Sequence, residues 1–335
     1  MRVLVTGGAG YLGSRVSTHL IESGIEVVVL DKLVYGGEGL LHLLDHRCFR
    51  LIVGDIRDGK TLRDAMKGVE AVVHLAAIVG EEACQVDPEN TVSVNDSGTR
   101  DVVRMAEETG ARRFIFLSTC SNYGISSSEN LADEDTPLRP LSLYAETKVR
   151  GEQTVLSVRH GNMTVCVLRL STLCGVSGRM RFNLLLNEMA RAAVRGEKIT
   201  VYAPQAWRPF LHIRDAARVI EHCLEVAGES IGGEVFNVVG ENLQKKHMIE
   251  LVLKHFPGTP VEIKETGGKT QDLRDYRVSA ERITRKIQFR PERTIEQAFL
   301  EVASAVRQGA FPDANRLLYE ALPKARDTKG AKART

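Results

Sequence analysis

The run "RVLVTGGAGYLGSRVSTHLIES", Arg2 to Ser23, joins a short apolar strand to a helical pattern through three glycines, Gly7, Gly10 and Gly13, at three-residue spacing. Small residues there let the backbone turn tightly and approach a pyrophosphate, while a helix beginning near Tyr11 offers that anion its free N–H groups and positive end. A glycine triplet alone also makes plain turns; lying directly between a strand and a helix, this one reads as a dinucleotide loop. Gly7, Gly10, Tyr11, Leu12 and Gly13 are its candidate contacts. The next apolar run, "EVVVLD", ends in Asp31. A carboxylate at that point can accept both ribose hydroxyls of an adenosine and repels a 2′-phosphate. This favours NAD over NADP, although the adjacent cation of Lys32 acts the other way.

Outward from this unit, "FRLIVGD", "AVVHLAA", "RFIFLS" and "TVCVLRL" are further apolar runs, separated by helical patterns such as "GTRDVVRMAEETG". Continuous apolar strands with helical crossovers imply a parallel sheet buried on both faces. The expected fold is therefore α/β, a Rossmann-type doubly wound parallel sheet with a smaller mixed α/β substrate-binding lobe. The first domain is expected to span residues 1–174, and the lobe residues 175–322, partly interleaved with it. In the lobe "MRFNLLLNEMARAAVRG", "IRDAARVIEHCLEVA" and "KKHMIELVLKHF" read as helices, "KITVY" as a strand and "EVFNVVG" as a returning strand. Residues 323–335 form a basic tail without large apolar residues, expected to be disordered.

A chain of 335 residues with a formal charge of +2 gives no electrostatic case for nucleic acid as a partner. No apolar run approaches the ~20 residues needed to cross a bilayer, so no membrane partner is expected. Met1 leads straight into a strand instead of a secretory signal, and the expected compartment is the cytoplasm. Six scattered cysteines without a CxxC pair read as reduced thiols, with neither a disulfide framework nor a metal site.

Tyr144 and Lys148 lie four apart in "LYAETKVRGEQTVL", which reads as a helix, and so share one face. A lysine ammonium beside a phenol stabilises the phenolate and lowers its pKa from about 10, making Tyr144 a usable base or acid. Such a pair is common on ordinary helices and gains its meaning from order. "TGGAGYLG", Asp31, "GDI" (54–56), "HLAA" (74–77), "VNDSGT" (94–99), "STCSNYG" (118–124), "YAETK" (144–148) and "RPFLHIRDAA" (208–217) follow one another along the chain. In that order they closely resemble the extended short-chain dehydrogenase/reductase family, specifically its nucleotide-sugar epimerases and dehydratases.

The resemblance implies a catalytic pair, Tyr144 and Lys148, with Lys148 also holding the nicotinamide ribose of NAD. Thr119 takes the place of the hydroxyl that hydrogen-bonds the reacting sugar oxygen. Asp55 and Ile56 would border the adenine, Leu75, Ala76 and Ala77 would line the NAD path, and Asn95 and Ser118 would touch the cofactor, although Ser118 and Tyr123 also read as architectural. A nucleotide-diphosphate sugar is the implied partner, met by Asn183 and Arg208 at the diphosphate and by Thr200, Val201 and Tyr202 beside the base. Arg179 and Arg181 add cations around Asn183, and Asp272, Arg274 and Arg277 are candidates for a further diphosphate contact. Thr172 and Cys174 replace an asparagine and a tyrosine of the family pattern. A homodimer, paired through the Tyr/Lys helix and the one before it, is the expected assembly.

In that family hydride leaves the sugar's C4 for NAD while the tyrosine takes the hydroxyl proton. The 4,6-dehydratases carry an Asp-Glu pair after the strand-end threonine, where this chain has Cys120 and Ser121. A C4 epimerase needs only Thr119, Tyr144, Lys148 and room for the keto sugar to turn, which favours that reading. The alternatives are a dehydratase or multi-carbon epimerase using Cys120 as a second acid/base, a 4-ketoreductase, or an NAD-binding scaffold. Cys120 itself reads either as that acid/base or as a small side chain filling space near the sugar.

Overall fold

The computed structural model describes residues 1–125, 131–158, 162–265 and 274–311; Asp272 and the basic tail lie outside the described residues. Seven parallel strands make the main sheet, β1 (Arg2–Thr6), β2 (Glu26–Asp31), β3 (Phe49–Val53), β4 (Ala71–His74), β5 (Arg113–Thr119), β6 (Thr164–Leu170) and, after three strands of the lobe, β10 (Glu234–Val238). Their spatial order is β10-β6-β5-β4-β1-β2-β3. The order reverses between β1 and β4, and in sheets of this kind ligands sit in the crevice at that reversal, beyond the carboxyl ends of the strands. Successive residues of β1 enter different cores: Val3 and Val5 join one apolar cluster, Leu4 the other. The inner strands are therefore largely apolar on both sides instead of alternating, because both faces of the sheet are covered.

Helices α1 (Tyr11–Glu22), α2 (Gly59–Ala65), α3 (Glu81–Val86), α4 (Pro88–Val92), α5 (Thr99–Glu108), α6 (Leu143–Ser157), α7 (Leu185–Arg195) and α8 (Ile213–Glu225) follow in chain order. The lobe adds a three-stranded sheet of β7 (Thr172–Cys174), β9 (Trp207–His212) and β11 (Glu241–Gln244), in the order β11-β9-β7. A two-stranded sheet pairs β8 (Ile199–Tyr202) with β12 (Val261–Lys264) in parallel. The returning strand "EVFNV" is β10, hydrogen-bonded beside β6. One helix is shorter than its sequence pattern: α7 begins at Leu185, and residues 175–184 run over the surface of α1 instead. Their partners are hydroxyl groups and backbone on α1, which no helical periodicity reports.

Candidate functional site

At the N-terminal end of the cleft β1 gives way to Gly7, held at a φ of +73°, and α1 starts after Gly10 with no side-chain cap and no acid in its first turn. A Cβ on Gly13 would stand 2.1 Å from the Gly7 carbonyl, and one on Gly7 would stand 2.7 Å from the Ala76 nitrogen. The glycines thus press the loop against the end of β4 and leave the first N–H groups of α1 for an anion, the fit a dinucleotide pyrophosphate requires. Asp31 accepts from Ala9 N (2.9 Å) and Leu33 N (2.8 Å), so it also ties the loop to the end of β2. Burial raises its pKa, against the pull of these two N–H groups and of Arg179. Each carboxylate oxygen keeps a second lone pair for a ribose hydroxyl.

Other cofactor candidates are already engaged. Asp55 receives Arg57 (2.6 Å) and Lys32 (3.0 Å), and the Arg57 guanidinium holds its carboxyl well below the usual range. Ile56 is buried in the core, with Gly98 against its side chain. Asn95 accepts from Ile78 N (2.8 Å) and donates to Ile78 O (2.9 Å) and Thr147 Oγ1 (3.1 Å). That is a clamp between the loop after β4 and α6, and it fixes the backbone of Leu75, Ala76 and Ala77 that leads into it. The Tyr11 ring is buried, its hydroxyl donating to Gly175 O (2.7 Å) and accepting from Asn187 Nδ2 (3.1 Å), so what Tyr11 offers an anion is its backbone N–H. Leu12 packs between two apolar clusters.

At the other end α6 lies across β5, capped by Ser142. Its spacing puts Tyr144, Lys148 and Glu152 on one face. Lys148 is buried, donates from Nζ to Leu117 O (2.7 Å) and stands 4.8 Å from the Phe116 ring. An ammonium has three donors, and this bond uses one. Burial lowers its pKa to about 8, with the Glu152 carboxylate acting in the opposite sense. The Tyr144 phenol departs from the expected lowering: burial pushes it up to about 12, opposed by the guanidinium charges of Arg181 and Arg274. Lys148 is aimed at a backbone carbonyl here, and the charges acting on the phenol come from the lobe. Thr119, two residues past Leu117, accepts from Ser121 N (3.1 Å).

The strand-end hydroxyls divide by direction. Ser121 accepts from Arg274 Nη1 (3.1 Å) and lies 3.5 Å from the Tyr276 hydroxyl; Arg274 in turn stands 3.5 Å from Glu81. The Cys120 thiol points elsewhere. It is fully buried among Tyr123, Val239, Tyr276 and Val278, donates to Arg169 O (3.1 Å), and burial drives its pKa far above that of a free thiol. The structure does not bring this sulfur together with Tyr144 and Lys148; it fills core.

Ser118 likewise faces inward and donates to Glu152 Oε1. Glu152 and Arg169 form a buried ion pair (2.7 Å), joined by Asn122 Nδ2 (2.9 Å to Oε1) and by Tyr123, whose hydroxyl accepts from Arg169 (2.9 Å) and donates to Asn237 (2.8 Å). Neither charged residue was a sequence candidate. Two signals were present: Glu152 continues the Tyr144–Lys148 spacing by one turn, and Arg169 interrupts an apolar strand, where a buried charge demands a partner.

In the lobe Asn183 is exposed and accepts from Arg181 Nε (3.2 Å). Arg208 is buried and donates to the carbonyls of Trp207 (2.7 Å) and Arg274, which brings the two arginines to one place. Thr200 donates to Glu262 (3.3 Å), Val201 points into the lobe core and Tyr202 faces solvent. Thr172 is half-buried beside Phe210 on β9.

A doubly wound sheet, an uncapped glycine loop at its switch point and a Tyr/Lys helix against the next strand define a dinucleotide-dependent enzyme of the short-chain dehydrogenase/reductase class. The model of the NAD dependent epimerase/dehydratase family matches residues 3–270, and the chain belongs to that family. NAD is its cofactor. Among curated relatives, the low-salt glycan biosynthesis protein Agl12 of Haloferax volcanii is 29% identical over 88% of this chain and 95% of its own. A dTDP-glucose 4,6-dehydratase of Streptomyces griseus is 31% identical over 86% and 89%. A UDP-glucose 4-epimerase of Streptomyces lividans is 32% identical over 66% and 68%. Among solved structures, DesIV, a dTDP-glucose 4,6-dehydratase from Streptomyces venezuelae with NAD bound, superimposes with a TM-score of 0.83 at 26% identity, covering 93% of this chain and 99% of that one.

Proposed function

We propose that this chain is an NAD-dependent nucleotide-sugar epimerase acting through transient oxidation at C4. The observation that carries the reading is the strand end. Thr119 keeps its hydroxyl there, while the two positions that hold a dehydratase's acid and base carry a thiol sealed in the core and a serine bonded by Arg274. Bound NAD supplies the hydride acceptor and donor. Tyr144 takes the C4 hydroxyl proton and later returns it, helped toward the phenolate by Arg181 and Arg274. Two donors of Lys148 remain for the nicotinamide ribose, and Thr119 hydrogen-bonds the reacting oxygen. Asn183, Arg208 and Arg274 hold the diphosphate, Thr200 to Tyr202 flank the base, and Thr172 borders the sugar. Bidentate guanidinium contacts suit such phosphate oxygens. The nucleotide-binding part covers residues 1–174 and the sugar-binding part the lobe that follows. Two copies pair through α5 and α6, an arrangement that light scattering of the purified chain checks.

The relatives named as dTDP-glucose 4,6-dehydratases favour a second reading, elimination across C5 and C6. Incubation with UDP- and dTDP-hexoses in deuterated water, followed by NMR of the products, separates the two. The epimerase gives the C4 epimer with no deuterium at C3 or C5. A 4-keto-6-deoxy product labelled at C5 refutes it. Label at C3 or C5 that disappears in Cys120→Ser returns the thiol to the mechanism.

A further inference from the structure

The segment between β7 and α7 is fastened onto the beginning of α1. Ser177 donates to Tyr11 O (2.6 Å) and meets Ser14 Oγ (2.9 Å), and Arg179 N donates to the same Ser14 oxygen (3.2 Å). Gly178 crosses Gly39 so closely that a Cβ on it would stand 2.6 Å from the Gly39 carbonyl. The lobe thereby lays a strap over the turn of helix whose N–H groups face the cofactor, and the strap delivers two cations. Arg179 is buried, its guanidinium 4.3 Å from the centre of the Tyr35 ring and within the field of Asp31. Arg181, two residues on, donates from Nε to Asn183 (3.2 Å) and lies in the field of Tyr144, Tyr11 and Tyr35.

Two guanidinium groups held together repel, and burial deepens the cost: Arg179 is lowered to about 10 by burial first and by Arg181 second. Tyr35 and Asp31 offset part of that repulsion. Like charges gathered beside the positive end of α1 are stabilised when an anion enters between them.

We propose that Arg179 and Arg181, carried by the strap over the first turn of α1, form a clasp on the NAD pyrophosphate. The clasp rests on NAD binding and is independent of which sugar the enzyme converts. Arginine suits the task because its planar fork meets two phosphate oxygens at once.

Equilibrium dialysis of the full chain against NAD, adenosine and UDP tests it, with Arg179→Ala, Arg181→Ala and the two arginine-to-lysine variants. Each alanine variant is expected to weaken NAD about tenfold or more, the loss of one charge-assisted hydrogen bond. The lysine variants recover part of that loss, and affinities for adenosine and UDP stay at the parental value. The proposal is overturned by unchanged NAD affinity in either alanine variant, or by a loss that adenosine shares in full. It is equally overturned if UDP weakens while NAD holds, which would assign the arginines to the sugar nucleotide.

Discussion

The strand-end turn at 118–123 and the strap at 175–183 both border the cleft, but they are held in place by different physics. The turn rests on Glu152 and Arg169, whose side chains are 4% and 6% exposed, with three neutral groups bonded into the same network. The strap rests on Ser14, Ser177 and the backbone of Tyr11, all neutral. A buried ion pair is costly to form and costlier to break, because removing one partner strands a charge in the core. A neutral hydroxyl bond is worth about 1 kcal/mol net and can exchange with water. The two borders of the cleft are thus tied down differently, the turn by a buried ion pair and the strap's hydrogen bonds by neutral groups.

The largest effect is expected at the phenol. Tyr144→Phe should lower turnover by roughly 10²- to 10⁴-fold with unchanged thermal stability, measured by product NMR and calorimetry. Full biological activity of that variant would instead support a non-catalytic scaffold. Arg169→Met should cost about 3–5 kcal/mol in urea unfolding, since it leaves Glu152 charged and buried. A loss under 1 kcal/mol would remove the distinction drawn between turn and strap.

Acid should act next. His74 sits between Thr6 Oγ1 (2.7 Å) and Thr99 Oγ1 (3.0 Å), and burial, followed by the nearby charge of Lys148, lowers its pKa to about 3. Thr99 donates to Asn95 O, so the Nε2 of a neutral His74 is the donor and Nδ1 accepts from Thr6. A depressed histidine contributes stability that is complete above its unfolded pKa, near 6.5, and is lost as pH falls toward the folded value. Unfolding free energy should therefore fall by up to about 1.4 kcal/mol per pH unit below 6.5, and His74→Gln should flatten that slope.

Lys148→Met should abolish turnover yet raise the stability of the NAD-free protein by about 1–2 kcal/mol at pH 7. The unfolded chain keeps the ordinary lysine pKa while burial lowers the folded one to about 8, so the folded state bears a charge penalty below pH 8. Losing the bond to Leu117 O offsets part of the gain. The smallest change belongs to the strap: Ser177→Ala should cost roughly 1 kcal/mol or less.

Much of this was legible along the chain. Every strand of the main sheet coincides with an apolar run, and Tyr144 and Lys148 fall on one helix face as their spacing requires. What escaped was direction. Thr119, Cys120 and Ser121 are consecutive, and a strand turning into a short helix sends the threonine and serine oxygens into one hydrogen-bonded group and the thiol into the core. The sequence offers three polar neighbours with no means of ranking them. Nor does motif position report the protein partners of Asn95 and Asp55, which bond Ile78, Thr147, Lys32 and Arg57.

By itself the sequence determined the strands of the sheet, the glycine loop and the helix carrying Tyr144 and Lys148, because each depends on periodicity or spacing within some twenty residues. Tertiary structure alone decided which charges meet. Arg169 finds Glu152 across 17 positions, Arg274 finds Ser121 across 153, and the strap reaches α1 across 163. Burial sets the energy of such pairs, and burial is a property of the whole fold.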